Sequence, residues 1–366
     1  MTSINAIRFD SLKGAMVCDE CRGWNPEDMR IYSADKIKPV IPDEIRDRYG
    51  LVACYGNTGS SSTGDEIKQK IRERVQKEFD DARERLGRPP ETFLTIRNLA
   101  YLAYDEQCKM KHRHVDEHMV SHYGFNTRDF CRGSYTIDDT TQPGGKRKIE
   151  IKDKDVQKEI LEALTWKNRG QTNRGVFVNA GLLAGYEPRE GFRIYHTSLI
   201  EFICEPVQFL FLAEGSGLDA TDLLMSEYMG RKSLPERRDV IDRVEGIMAL
   251  ICSVNAASRH NIGVGGYFNI ILVDGREKDP ASMMRCINDH RAKLVTQIAD
   301  AYTQNLVSRR LAFKLVEDVL YNKAGFQETR QAFFEGCKEP EILRRHLRGY
   351  RIASPKGPVR LGIFLP

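Results

Sequence analysis

Apolar and polar positions alternate in two short segments near the start of the chain. The first covers Thr2–Phe9 and the second Gly14–Asp19, and a short polar turn separates them. This alternation is typical of strands with one buried face, and the turn at Lys13 and Gly14 predicts a β-hairpin. A third apolar segment ends at Tyr55-Gly56. Thr2 is therefore expected at the very start of the first strand.

Helical periodicity follows a Gly/Ser-rich loop. Between Asp65 and Leu86, apolar residues recur every fourth position among charged ones, which predicts one amphipathic helix. These residues are Ile67, Ile71, Val75 and Phe79. A second helix is predicted at about 91–106. The spacing of Gly59 and Gly64 mimics a phosphate loop, but Asp65-Glu66 stands where that motif needs Lys and Ser/Thr, so a loop with a helix cap explains it better.

Residues 107–174 combine a histidine cluster with turn-forming and basic residues, and a helix is predicted from Asp155 to Trp166. Three of the histidines would share one face of a helix, as a metal site requires. Neighbouring lysines and an arginine equally suit a solvated polar face. The three histidines are His114, His118 and His122.

The second half of the chain begins with a β-rich stretch. Short apolar and aromatic segments at 175–213, broken by polar turns, predict an antiparallel meander. Helices are predicted at about 219–230 and 235–258, the second with an apolar stripe typical of a core. A strand at 261–273 and a mostly helical remainder at 279–366 complete the pattern.

Composition limits the kinds of partner. The 366 residues are 41% hydrophobic and 30% charged, enough for a sizeable core. A net charge of +4 from 56 basic and 52 acidic residues favours no nucleic acid partner. No apolar segment approaches membrane-spanning length and no secretion signal is evident, so we expect a cytoplasmic protein. The nine cysteines are expected to be reduced, and Cys18-x-x-Cys21 lacks the second pair of a zinc site.

Several of these features, taken in order, resemble the proteasome-like N-terminal-nucleophile hydrolases. Thr2 opens the first strand, Asp19 ends the second, and Lys36 shortly precedes the third. Gly215-Ser216-Gly217 follows the meander, and a returning Gly-Gly strand begins near Asn261. The first hairpin is one residue longer than is usual in that family. The resemblance covers about 2–65 and 175–275.

The resemblance implies roles for individual residues. Thr2 would act as nucleophile and, once the preceding residue is removed, its α-amine, with an intrinsic pKa of about 8, as base. Lys36 would lower the proton affinity of the nucleophile and Asp19 would orient Lys36. The Gly56 N–H would bind the oxyanion. Ser216 would help carry protons beside Thr2.

Two positions depart from the active members of the family. They carry an Asp and a Ser before the Gly-Gly, where this chain has Asn261 and Val264. Asn261 can still orient a neighbour by hydrogen bonding, whereas Val264 cannot relay a proton.

The resemblance also implies a fold, an activity and an assembly. The fold is α+β, a four-layer αββα sandwich with a core at 1–106 and 175–275, an insertion at 107–174 and C-terminal helices at 276–366. The activity is threonine-type hydrolysis of peptide or amide bonds without a cofactor, in a homo-oligomer for which a ring is one expected form. A non-catalytic ring or scaffold subunit is the alternative, and an amidase of small molecules is a third class.

Overall fold

The computed structural model describes residues 2–24, 29–32, 35–59, 61–141, 144–165, 179–238, 240–261 and 264–346. The strands are β1 (Ser3–Arg8), β2 (Lys13–Asp19), β3 (Cys21–Trp24), β4 (Met29–Tyr32), β5 (Ile37–Pro39), β6 (Val52–Asn57), β7 (Ser134–Asp138), β8 (Lys146–Glu150), β9 (Ala180–Glu187), β10 (Gly191–Ser198), β11 (Ile203–Pro206), β12 (Phe211–Gly215), β13 (Phe268–Asp274) and β14 (Met284–Ile287). The helices are α1 (Asp43–Tyr49), α2 (Ser61–Leu86), α3 (Ile96–Tyr123), α4 (Thr127–Arg132), α5 (Lys154–Thr165), α6 (Leu218–Gly230), α7 (Leu234–Arg238), α8 (Arg243–His260), α9 (His290–Thr303), α10 (Arg309–Leu320), α11 (Phe326–Glu335) and α12 (Pro340–His346), with a 3₁₀ turn at Pro280–Ser282.

Two five-stranded antiparallel sheets form the centre of the molecule, which confirms the predicted α+β class. The first has the order β12-β1-β2-β13-β14 and the second β11-β10-β9-β6-β5. The predicted hairpin is present, with Ile4 opposite Cys18 and Arg8 opposite Gly14. On the other side of β1, Ser3 lies opposite Gly215. The start and the middle of the chain therefore meet at one end of the first sheet.

The meander prediction is wrong for its last strand. β9, β10 and β11 are consecutive neighbours in the second sheet, but β12 crosses to the first sheet and pairs with β1. Local alternation cannot distinguish the two sheets, because it shows which side chains of a strand are apolar but not which strand lies beside it. The predicted beginning of the meander, 175–178, lies outside the described residues.

Three apolar clusters hold the sheets and helices together. The cluster between the sheets includes Ile4, Ala6 and Met16 from the first sheet and Leu182 and Ala184 from the second. A second cluster packs the outer face of the first sheet against α8, α9, α10 and α11. A third packs the outer face of the second sheet against α1, α2 and α3. Both sheets are thus buried on both faces.

Helix α3 differs from the prediction because it continues to Tyr123, across the expected start of the insertion at 107. Gln107 is buried within it and donates from Nε2 to Tyr55 Oη (2.7 Å) and Asn179 Oδ1 (2.8 Å). The first turns beyond 106 therefore belong to the packing of the second sheet. The remaining insertion has a small apolar cluster of its own, formed by Val115, Met119, Phe125, Ile151 and Ile160.

The predicted helix at 235–258 is divided into α7 and α8. Asp242 lies between them and its side chain accepts from the Val244 and Glu245 N–H groups, which caps α8. Val240, part of the predicted stripe, is 57% exposed, whereas Ile247 and Ile251 are buried. Strand β14 was not predicted within the helical remainder. Among the described helices, none is both long and apolar enough to cross a membrane.

Gly56 of β6 has no room for a side chain between its neighbour β5 and the first sheet. A Cβ at this position would be 2.6 Å from Ile37 Cγ2 and 3.1 Å from Ile4 Cγ2 of the opposite sheet. We expect Gly56→Ala to reduce the free energy of unfolding by about 1–3 kcal/mol, measured by urea denaturation, because it overpacks this contact.

Gly230→Ala is the matched control, because a Cβ at that position meets nothing within 4 Å. It should leave stability unchanged or slightly raised, since alanine is the better helix former. Equal effects of the two substitutions would contradict this account of the sheet contact.

Candidate functional site

Thr2 and Ser216 contact each other directly through the β1–β12 pairing. The Thr2 N–H donates to Ser216 Oγ at 3.1 Å, and the Ser216 hydroxyl donates to the Thr2 carbonyl at 3.3 Å. Gly215 has a φ of +99°, and a Cβ there would be 2.1 Å from the Thr2 carbonyl oxygen. The glycine before Ser216 is therefore required both by its conformation and by the close approach of the two chains.

Asp19 is a fully buried carboxylate that accepts four hydrogen bonds. Its Oδ1 accepts from the Ser3 N–H (2.8 Å) and from Lys36 Nζ (2.6 Å). Its Oδ2 accepts from the N–H groups of Cys21 (3.2 Å) and Gly265 (3.0 Å). Both oxygens are thus saturated, which offsets the cost of burying a charge. One side chain joins four separate parts of the chain.

Lys36 supplies the positive charge for Asp19. Its side chain is 6% exposed and that of Asp19 is 0% exposed. In such surroundings, removing one partner leaves an uncompensated buried charge, which is strongly destabilising. The Asp–Lys pair implied by the resemblance is therefore present in the structure, next to the segment that begins with Thr2.

Asn261 and Val264 lie close to the same network in different ways. The Asn261 Nδ2 donates to the Ser216 carbonyl at 2.6 Å, so it holds the turn that carries the Ser216 hydroxyl. Val264 is 2% exposed, and the next residue, Gly265, donates its N–H to Asp19. The side-chain amide of Asn261 thus supports the turn at Ser216, and the backbone N–H of Gly265 supports Asp19.

The Gly56 N–H faces β9 of the second sheet and not the side of β5 and Lys36. Val40 N–H donates to the Ala53 carbonyl and Thr58 N–H donates to the Ala180 carbonyl. Because backbone groups alternate in direction along a strand, Gly56 faces β9 and Asn57 faces the side of Lys36. The geometry favours the Asn57 N–H over Gly56 as a donor beside Lys36, and Gly56 serves the sheet packing instead.

Two neighbours of the site were not predicted. The thiol of Cys18 is buried beneath it, and this burial raises its pKa to about 12 despite the nearby Lys36 charge, so it remains neutral. Lys68 of α2 is 5% exposed and contacts the main chain of Lys36. The sequence signal that could have identified Lys68 is its position next to the apolar Ile67 and three residues after Asp65.

Other candidate features do not join this site. The rings of His118 and His122 lie with centroids 4.0 Å apart and planes tilted by 36°, but within the described residues no group of three potential ligands is arranged to hold a metal. Cys18 and Cys21 are not joined by a disulfide bond. A cavity of about 540 Å³ lies between the edges of β5 and β14 and adjoins Asp35.

No protein-family model matches the chain, and no curated protein matches it.

The network around Asp19 gives a direct stability test. In Asp19→Asn, the amide NH₂ replaces an oxygen that accepts two hydrogen bonds, and Lys36 loses its counter-charge. We expect the free energy of unfolding to fall by about 3–5 kcal/mol, measured by urea denaturation.

Asp43→Asn is the control, because the Asp43 side chain is 71% exposed and forms a surface pair with Arg46. It should change stability by no more than about 1 kcal/mol. A loss in Asp19→Asn as small as in this control would show that the buried pair is not formed.

Proposed function

We propose that the chain is a threonine-type N-terminal-nucleophile hydrolase that acts on peptide or amide bonds. The observation that carries the proposal is the meeting of four distant residues at one end of the first sheet. Thr2 contacts Ser216 at 3.1 Å, while Asp19 binds both Lys36 and the N–H of the residue after Thr2. The sequence resemblance assigns these same four residues to a single site.

The layering of the molecule supports this proposal. Two antiparallel sheets face each other across one apolar cluster, and each outer face is covered by helices. We assign this arrangement to the αββα sandwich of N-terminal-nucleophile hydrolases. In that assignment, the insertion at 107–174 and the C-terminal helices are additions to the core.

The proposed reaction begins when the Thr2 hydroxyl attacks the carbonyl carbon of the substrate and its proton passes to the Thr2 α-amine. The Asn57 N–H stabilises the developing oxyanion, and the positive charge of Lys36 lowers the proton affinity of the hydroxyl. The C–N bond then breaks, and the leaving nitrogen takes the proton from the α-amine. An ester on Thr2 remains.

Water completes the cycle by attacking this ester, with the α-amine as base. The Thr2 hydroxyl is regenerated and the carboxylic acid leaves. The nitrogen of Thr2 lies 3.1 Å from Ser216 Oγ, so the hydroxyl of Ser216 is placed to pass protons to and from the amine. The mechanism requires a free α-amine, and therefore removal of the residue that precedes Thr2.

The second candidate function is a non-catalytic subunit that keeps this fold as a scaffold. Val264 favours it, because a buried apolar side chain occupies the place where the resembled active enzymes carry a serine. In that case the Asp19–Lys36 pair would only stabilise the fold. An amidase of small molecules would share the chemistry of the first proposal and differ in its substrate.

Acylation of Thr2 separates the enzyme from the scaffold. In protein whose first residue is Thr2, a β-lactone probe should add one mass increment, located at Thr2 by peptide mass spectrometry. Thr2→Ser should retain the reaction because it keeps a hydroxyl, and Thr2→Ala should abolish it. An intact mass that retains residue 1 in the native host, or equal labelling of Thr2→Ala, would refute the proposal.

We also propose that the chain forms a homo-oligomer. Phe202 precedes β11 in the chain and is 70% exposed, and Phe209 follows β11 and is 77% exposed. Leu223 of α6 is 70% exposed. Such side chains suit a contact between subunits. Light scattering at micromolar concentration should give a mass of at least two chains, and a monomer mass would contradict this expectation.

A further inference from the structure

A second buried lysine, Lys68 of α2, lies behind the main chain of Lys36. Its Nζ donates to the carbonyl oxygens of Lys36 (3.1 Å) and Asp35 (3.3 Å). It also lies 3.0 Å from Asp65 Oδ1, one turn earlier in the same helix. The ammonium therefore donates to two carbonyls and has the Asp65 carboxylate beside it as an opposite charge.

Burying this ammonium is energetically costly. Burial lowers the pKa of Lys68 from the usual lysine range, although Asp65 opposes this shift. A lysine that only kept the helix surface polar would point to water, as Lys70 does on the same helix with 47% of its side chain exposed. Lys68 instead points inward, to the two carbonyls that immediately precede β5.

Hydrogen bonds therefore hold both the side-chain ammonium and the main-chain carbonyl of Lys36. Its Nζ binds Asp19 of the first sheet at 2.6 Å, and its carbonyl binds Lys68, whose helix packs on the second sheet. A lysine side chain has four flexible bonds, so fixing its main chain restricts where its ammonium can lie.

We propose that Lys68 is a positioning residue for Lys36. By holding the main chain of Lys36, Lys68 determines where the Lys36 ammonium lies when it binds Asp19 and acts on Thr2. The inference rests on the proposed function, because the placement of Lys36 affects a reaction only if Thr2 is the nucleophile. Lys68 itself touches neither the nucleophile nor Asp19 through any hydrogen bond described here.

The test compares acylation rates of Thr2 by the β-lactone probe in protein that begins at Thr2. Lys68→Met keeps the length of the side chain but removes all three donors, and we expect it to react about 10- to 100-fold more slowly, as a displaced catalytic group would. Lys70→Met, on the same helix, should react within about twofold of the wild type, since its side chain is largely exposed.

A double substitution distinguishes positioning from a general loss of stability. If Lys68 acts through Lys36, then Lys36→Met combined with Lys68→Met reacts no more slowly than Lys36→Met alone, because the group being positioned is already absent. A further slowing in the double variant, equal to that of Lys68→Met in the wild type, would overturn the inference.

The remaining outcomes separate this inference from the proposed function. A wild type that does not react at Thr2 overturns the hydrolase proposal and the role of Lys68 with it. A reactive wild type with an equally reactive Lys68→Met variant overturns only the role of Lys68. If Lys68→Met does not fold, Lys68→Gln, which keeps two donors without the charge, is compared in the same way.

Discussion

The buried carboxylate of Asp19 is the interaction on which the rest of this structure depends. A charge without solvent must be neutralised and fully hydrogen-bonded, and these requirements fix the position of each group that meets it. Lys36 provides the charge, and the backbones of Ser3, Cys21 and Gly265 provide the remaining donors. The first strand, the loop before β5 and the returning segment before β13 are thereby brought to a common point.

Two glycines allow close packing at this end of the molecule. Gly215 allows β12 to approach Thr2, and Gly56 allows β6 to approach Ile4 of the opposite sheet. Asn261 then holds the turn that contains Ser216. A residue at the start of a paired strand and supported in this way is held more tightly than one on an open loop, as the proposed covalent catalysis would require.

The hydrogen-bond network around Asp19 is compatible with both proposed functions. The two proposals differ in whether Thr2 acts as a nucleophile. The Asp19–Lys36 pair and the capped helices stabilise the fold whether or not it catalyses a reaction. The contact between the Thr2 nitrogen and the Ser216 hydroxyl is different, because a scaffold does not need a hydroxyl beside this nitrogen. The catalytic proposal therefore depends on Thr2 more than on the charged pair beneath it.

The sequence by itself determined the local elements and the candidate residues. The alternation at Thr2–Phe9 and Gly14–Asp19 predicted the hairpin, and the four-residue spacing of Ile67 to Phe79 predicted the buried face of α2, because both patterns are set by neighbouring residues. Only the tertiary structure decided that β12 leaves the meander for the first sheet. It also decided that Gly56 turns its N–H toward β9 and that Lys68 points inward. These three features depend on partners 32 to more than 200 residues away, such as Lys36 for Lys68 and Ser3 for Gly215, and no local periodicity records such contacts.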